Sequence, residues 1–279
     1  MNQPLRFVYF GTPAFSTLVL DALADAGYLP ALVVTTPDRP AGRGLELTMS
    51  PVKQWALARE IPVLQPEKFD EPTLAALRAT HAELFIVAAY GKILPAALLA
   101  IPSQGALNVH PSLLPRYRGT SPVESQILAD EKHIGVSIIL MDEKMDHGPL
   151  VAQEEIALPE LPRRNDLNTL LWSRGGALLA TILPSWLAGD LRGAVQDDTL
   201  ATVTKKIKKE DGEIKSDDRS RSAYLKYLAY EGWPGVYFFD PAAGGKRVKI
   251  TRASFTNNQF TIERVIPEGG REISVQKTA

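Results

Sequence analysis

At 279 residues, 45% of them hydrophobic and 23% charged, the chain has enough apolar material for one large domain or two unequal ones. It holds no cysteine, which excludes disulfides, thiolate nucleophiles and Cys-ligated zinc or iron–sulfur centres and fits a reducing compartment. The formal net charge of −1 gives no general polyanion signal, yet the stretch from Lys205 onward is net basic and the rest net acidic. That asymmetry is expected where a small part of a chain meets a polyanion; a solvated basic surface is the plain alternative. Only Phe7 to Phe10 form an apolar run before Gly11, too short for a signal peptide or a membrane span, so a cytoplasmic location is expected.

In chain order, residues 6–10 read as a strand ended by Gly11-Thr12-Pro13. Phe15, Leu18, Val19, Ala22 and Leu23 then recur at helical spacing, with Thr12 as N-cap and Pro13 in the first turn. Strand candidates follow at 31–35, 84–89, 106–109 and 135–140, and 37–51, rich in proline and glycine, reads as a loop of poor helix and strand propensity. Runs apolar on both faces, separated by helical segments, predict a Rossmann-like, doubly wound, mainly parallel sheet with its ligand site at the carboxyl ends of the strands. Residues 167–187 read as a long helix interrupted near Gly175-Gly176 and Pro184. Residues 191–209 are polar and end in Lys205-Lys206-Ile207-Lys208-Lys209, a linker or exposed arm. A short helix at 220–230 precedes four strand-like pieces, 236–239, 247–251, 260–265 and 272–275, which predict a small all-β module. The expected division is a catalytic domain over 1–189, a basic linker over 190–209 and a small β domain over 210–279.

The densest polar cluster is Asn108-Val109-His110-Pro111-Ser112-Leu113-Leu114-Pro115-Arg116-Tyr117-Arg118-Gly119. Strand alternation points Asn108 and His110 to one side, at the carboxyl edge of the sheet. An asparagine amide can hold a developing oxyanion, and histidine suits proton transfer near neutrality. The segment after the next strand supplies a carboxylate at Asp146. For an isolated Asn-x-His, strand capping beside a proline turn is the competing reading. His81 and His133 have no partner at ligand spacing, and Asp38, Asp142, Glu143 and Asp146 have no companion histidine cluster, so no metal is expected. Gly11 stands in no GxGxxG, which disfavours a nicotinamide cofactor.

The string from Asn108 to Gly119 with Asp146 downstream resembles the folate-dependent formyltransferases. Pro37-Asp38-Arg39-Pro40-Ala41-Gly42-Arg43-Gly44, followed by Ser50-Pro51-Val52-Lys53, is similar to a loop of the branch that acts on methionyl-tRNA. Gly11-Thr12-Pro13, Ala89-Tyr90-Gly91-Lys92-Ile93-Leu94-Pro95 and Lys208-Lys209-Glu210-Asp211-Gly212-Glu213-Ile214 look like the same branch, and the resemblance covers residues 5 to about 240. It implies a Rossmann-like catalytic domain followed by a small OB-like β-barrel, with Asn108, His110 and Asp146 as the catalytic set. It places a folate site along Ser112, Leu113, Leu114 and Pro115, with Tyr90, Gly91, Lys92, Ile93 and Leu94 nearby. The co-substrate would be 10-formyltetrahydrofolate, the partner initiator methionyl-tRNA, and the protein a monomer. Arg39, Arg43, Lys205, Lys206, Lys208 and Lys209 are the residues expected to meet tRNA phosphates. Amino-sugar and glycinamide ribonucleotide formyltransferases are the rival enzymes, and a non-catalytic folate- or RNA-binding protein is the rival of another class. Pro111 is a feature of the glycinamide ribonucleotide branch, and His147 stands where a small residue is usual. The module beyond 210 is shorter than is usual in the family; its four strand candidates fall short of the five of an OB barrel.

Overall fold

The computed structural model describes residues 5–41 and 46–275. The chain forms β1 (Phe7–Gly11), α1 (Ala14–Asp25), β2 (Leu32–Val34), β3 (Arg39–Ala41), β4 (Glu46–Thr48), α2 (Pro51–Leu57), β5 (Val63–Leu64), α3 (Glu71–Arg78) and β6 (Leu84–Ala88). It continues through α4 (Ala96–Leu99), β7 (Ala106–His110), α5 (Pro122–Leu128), β8 (His133–Leu140), β9 (Leu150–Ala157) and α6 (Arg164–Ala188). Last come α7 (Arg221–Ala229), β10 (Tyr237–Asp240), β11 (Lys246–Thr256), β12 (Gln259–Pro267) and β13 (Ile273–Ser274). By packing the chain divides into two compact units: 1–119 with 135–156 and 168–203, and 120–134 with 157–167 and 204–279. The second unit thus takes two short segments from the middle of the chain, 120–134 and 157–167, as well as its C-terminal part.

The first unit is built on a seven-stranded sheet of order β5-β2-β1-β6-β7-β8-β9. Pairings from β5 to β7 are all parallel, as the strand runs predicted. Alternation explains why those runs are apolar throughout. Phe7 and Tyr9 of β1 enter one core with Val19, Leu20 and Leu23 of α1 and Leu179 and Leu183 of α6. Val8 and Phe10 enter the other with Leu74 and Leu77 of α3 and Leu98 of α4. Helices cover both faces, and the central strands β1, β6 and β7 are buried along their whole length. Two polar ties join the carboxyl ends of β1 and β6: Ser16 Oγ donates to the Ala88 carbonyl at 2.8 Å, and Thr12 Oγ1 to that of Tyr90 at 3.0 Å.

Two local expectations are revised. The 37–51 segment is not all loop: β3 and β4 pair as an antiparallel hairpin, with Pro40 opposite Leu47. A two-stranded ribbon has only edge strands, where proline is tolerated because its missing N–H faces outward. The base of the hairpin is fastened by Asp38, which accepts from Lys53 Nζ at 2.5 Å and Gln65 Nε2 at 2.7 Å. The Lys53 bond first, then that of Gln65, holds the Asp38 carboxyl below its usual range. Second, α6 runs unbroken for 25 residues through Gly175, Gly176 and Pro184. The two glycines mark close approach: a Cβ on Gly175 would meet Val109 Cγ1 at 2.5 Å, and one on Gly176 would meet Val19 Cα at 2.9 Å. β8 is antiparallel to β7, within a sheet that stays mainly parallel as expected.

In the second unit β10 to β13 form a four-stranded antiparallel sheet in sequence order, as the four strand-like pieces predicted. Glu213 bridges Tyr237 in parallel and so adds a single pairing at the β10 edge. Tyr224 of α7 stacks on Phe255, with ring centroids 5.2 Å apart, against this sheet.

Gly176→Ala would gain about 1 kcal/mol of helix propensity. It would also press a methyl on α1 backbone, and overpacking of that kind costs about 1–3 kcal/mol. The net expectation is a lower urea midpoint with unchanged m-value; a midpoint at or above wild type would show that the α1–α6 contact is not tight.

Candidate active site

Strand β7 is buried along its whole length. Leu107 and Val109 enter the α1–α6 core, while Ala106 enters the opposite one, so Asn108 and His110 share the face of Ala106. The two polar side chains are only 8% and 4% exposed, which demands hydrogen-bond partners. His110 Nε2 lies 3.0 Å from the Tyr117 carbonyl and Nδ1 3.6 Å from Asp146 Oδ1; Asn108 Nδ2 donates to the same Oδ1 at 3.4 Å. The second oxygen, Oδ2, accepts from the Gly119 N–H at 2.7 Å. All three sequence-predicted catalytic residues therefore meet.

Asp146 does not reach this point directly from the end of β8. Leu140 stands opposite Leu107 and Ser137 opposite His110, so the chain leaves β8 at the end of β7 remote from His110. Residues 141–149 double back to lay Asp146 against Asn108 and His110. Asp146 (φ 51°) and Tyr117 (φ 63°) are both left-handed. Such backbones cost roughly 1–3 kcal/mol each and persist only where the surroundings over-determine them.

Those surroundings come from a stretch that the sequence presents as the start of a linker. Leu150 and Ala194 exchange both backbone bonds, at 2.8 and 2.7 Å. Gln196 Nε2 donates to the carbonyls of Asp146 and Gly148, at 2.9 and 2.7 Å. Arg118 donates to Gln196 Oε1 from Nε at 3.1 Å and a terminal nitrogen at 2.8 Å, and to Asp198 Oδ1 at 2.8 Å. This Arg118 bond holds the Asp198 carboxyl below the usual carboxylate range. The Arg118 N–H donates to the Thr202 carbonyl at 2.9 Å. Residues 194–203 are thus a strap across the site, and the linker expectation is revised for them. His147, unusual at its position, lies with Nδ1 2.6 Å from Asp142 and Nε2 3.5 Å from Asp198.

The expected folate residues divide. Ser112 is buried and spends its hydroxyl on the Arg116 carbonyl at 2.8 Å; Leu114 is buried, Leu113 and Pro115 half-buried. Two residues outside the sequence reading secure this loop: Ser137 Oγ donates to the Ser112 carbonyl at 2.6 Å, and Gln153 Nε2 to that of Leu114 at 2.6 Å. Tyr90 and Leu94 are buried, Gly91 is exposed and Ile93 is 73% exposed. Lys92 Nζ is committed to the carbonyls of Pro66 and Glu67 at 2.7 and 2.8 Å. Burial pushes the Tyr90 hydroxyl up to about 12. Among the described residues that buried hydroxyl has no hydrogen-bond partner. Of the expected phosphate contacts, Arg39 is exposed on β3 and Lys205, Lys206, Lys208 and Lys209 are all exposed; Arg43 lies outside the described residues. No described helix is long and apolar enough to cross a membrane.

Fold and site together set an Asn–His–Asp cluster on a Rossmann-like frame, and the comparisons name the family. The formyl transferase model matches residues 5–171, and the formyl transferase C-terminal domain model matches residues 206–278. This chain belongs to the formyl transferase family. Within it, a relative from Chloroflexus aurantiacus named methionyl-tRNA formyltransferase is 46% identical over 92% of this chain and 82% of its own length. One of the same name from Halalkalibacterium halodurans is 42% identical over 88% and 77%. Among solved structures, methionyl-tRNA formyltransferase from Clostridium thermocellum shares the fold with a TM-score of 0.63 at 17% identity, covering 97% of this chain and 100% of that one. A sugar N-formyltransferase from Shewanella shares it with a TM-score of 0.66 at 16% identity, covering 91% and 99%.

Burial raises Tyr9 and lifts Tyr90 and Tyr230 to about 12. Unfolded tyrosines ionise near pH 10, so above that the unfolded chain binds fewer protons than the folded one and stability falls as pH rises. The urea midpoint should therefore decline from about pH 10 upward, and Tyr90→Phe should shrink the decline. A flat midpoint across that range would mean these hydroxyls are not buried as described.

Proposed function

We propose that this chain transfers a formyl group from 10-formyltetrahydrofolate to the amino group of initiator methionyl-tRNA. The convergence of Asn108, His110 and Asp146 carries the reading, and the names of relatives more than 40% identical over most of the chain support its substrate. The Tyr90 hydroxyl supports the fit to folate, because a polar edge of a bound ligand would satisfy a buried group that otherwise has no partner. The folate supplies the formyl carbon. A cytoplasmic location goes with this reading.

In the transfer, a bond forms from the amine nitrogen to the formyl carbon and the bond from that carbon to the folate nitrogen breaks. The amine loses a proton and the departing nitrogen gains one. Asn108 Nδ2 has one N–H on Asp146 and a second to hold the carbonyl oxygen as negative charge grows there; deleting such a donor costs about 3 kcal/mol. His110 faces a carbonyl with Nε2, so that nitrogen must carry a hydrogen and the exchangeable proton belongs to Nδ1. Nδ1 accepts the amine proton, Asp146 Oδ1 stabilises the imidazolium so formed, and the same proton is returned to the folate nitrogen. Offering methionyl-tRNA, glycinamide ribonucleotide and a nucleotide-linked amino sugar in parallel tests the substrate. Formylation of the tRNA alone is expected; preferred turnover of either small amine overturns the assignment.

Asp146→Asn and His110→Ala should each lower kcat by orders of magnitude with folate binding retained. The double variant should lose far less than the product of the two, since groups acting as a unit are not additive. Multiplicative losses would separate the two roles.

Alanine at Lys205, Lys206, Lys208 and Lys209 together should weaken tRNA binding and flatten its salt dependence, by about one unit of slope per lost phosphate contact. Coincident slopes for wild type and the quadruple variant would show that these exposed lysines only solvate the chain.

A further inference from the structure

We infer that Gln196, acting with Arg118, is a positioning residue for formyl transfer, fixing Asp146 and His110 relative to each other. The inference rests on the reading of Asp146 as a catalytic group. Gln196 is 6% exposed, in a setting where an unsatisfied amide would be costly. None of its hydrogen-bonding capacity is unmet. Both N–H groups are given to the main chain of the Asp146 loop, at Asp146 and Gly148, and both lone pairs of Oε1 are taken by Arg118. Its two ends therefore grip two different segments.

Those segments are the two that hold the reacting groups. One carries Asp146. The other runs from Tyr117 to Gly119, giving a carbonyl to His110 Nε2 at 3.0 Å and an N–H to Asp146 Oδ2 at 2.7 Å. The left-handed backbones fall at Asp146 and Tyr117, one on each side of the amide. An apolar side chain of equal volume would fill the space but leave two carbonyls and a buried guanidinium without this partner. Filling space thus does not account for an amide here, whereas holding two strained segments in register does.

The test is a kinetic cycle on the full chain with Gln196→Met and Asp146→Asn, read as single-turnover rate and as KM for folate and tRNA. Gln196→Met should slow the rate on the order of 10- to 100-fold, the penalty of misplacing a reacting group by about an ångström, with little change in either KM. In the Asp146→Asn background the same change should have almost no effect, because the group it positions is gone. An unchanged rate for Gln196→Met, or the same full factor in both backgrounds, overturns the inference. A near-normal rate for Asp146→Asn alone overturns the catalytic reading instead and this inference with it. Gln196→Glu guards against misfolding. It keeps an acceptor for Arg118 but cannot donate to the Asp146 and Gly148 carbonyls, so it should show the rate loss while circular dichroism at the assay temperature reports a folded chain. A normal rate in that variant is equally fatal.

Discussion

Because β8 runs antiparallel to β7, the loop that follows it begins beside Leu107, and the site depends on bringing Asp146 back to His110 and keeping it there. A carboxylate whose side chain is only 15% exposed is tolerable only when its oxygens find donors. Asp146 finds them at both: Asn108 on Oδ1, with His110 close by, and the Gly119 N–H on Oδ2. The Gly119 bond is short and comes from the backbone, so the Asn108-to-Gly119 string does two jobs. It supplies the amide and the imidazole from its strand, and the clamp for the carboxylate from its turn.

Glycine makes the return of that loop possible. A Cβ on Gly148 would collide with the Leu140 carbonyl, and one on Gly135 with the Glu154 carbonyl and the Leu113 side chain. The first permits the loop to close on β8; the second lets β8 and β9 lie tight beneath the 112–115 turn. Ser137 and Gln153 then use that proximity to hold the turn by its carbonyls. The chain of causes runs from missing side chains to close backbones, and from close backbones to a fixed wall beside His110.

Much of this was legible in the sequence. Continuous apolar runs such as Phe7–Gly11 and Leu84–Ala88 report a sheet covered on both faces, and Asn108, His110 and Asp146 stand in a motif whose chemistry is recognisable. What escaped reading has one physical character: it depends on partners far apart in the chain. Gln196 meets residues 50 and 78 positions away and lies in a polar stretch without periodicity, so nothing local marks it as buried. The reversal of β8 is silent for a similar reason, since an apolar strand carries the same residues in either direction. Gly175 and Gly176 suggested a break by propensity, but packing against β7 and α1 overrode it, as tertiary contacts commonly do. The hairpin β3–β4 was hidden because proline disfavours strands in general and is tolerated at their edges.

The strap also bears on how the proposed tRNA contacts would act. Residues 194–203 are fixed by the bonds of Ala194, Gln196, Asp198 and Thr202, and the exposed lysines begin at Lys205, directly beyond them. A basic segment on a free linker must give up conformational freedom when it meets phosphate, which subtracts from its affinity. One that leaves a fastened strap starts with one end already ordered. Beyond the lysines the chain is held again: the Asp211 carboxylate accepts from the Lys208 N–H at 2.7 Å, and the Ile214 N–H donates to the Tyr237 carbonyl at 2.9 Å. All four lysines are exposed, and the backbone of the last two is engaged, Lys208 by the Asp211 carboxylate and Lys209 by the Tyr237 hydroxyl. On the proposed reading, that arrangement lowers the ordering penalty at Lys208 and Lys209 when they meet phosphate.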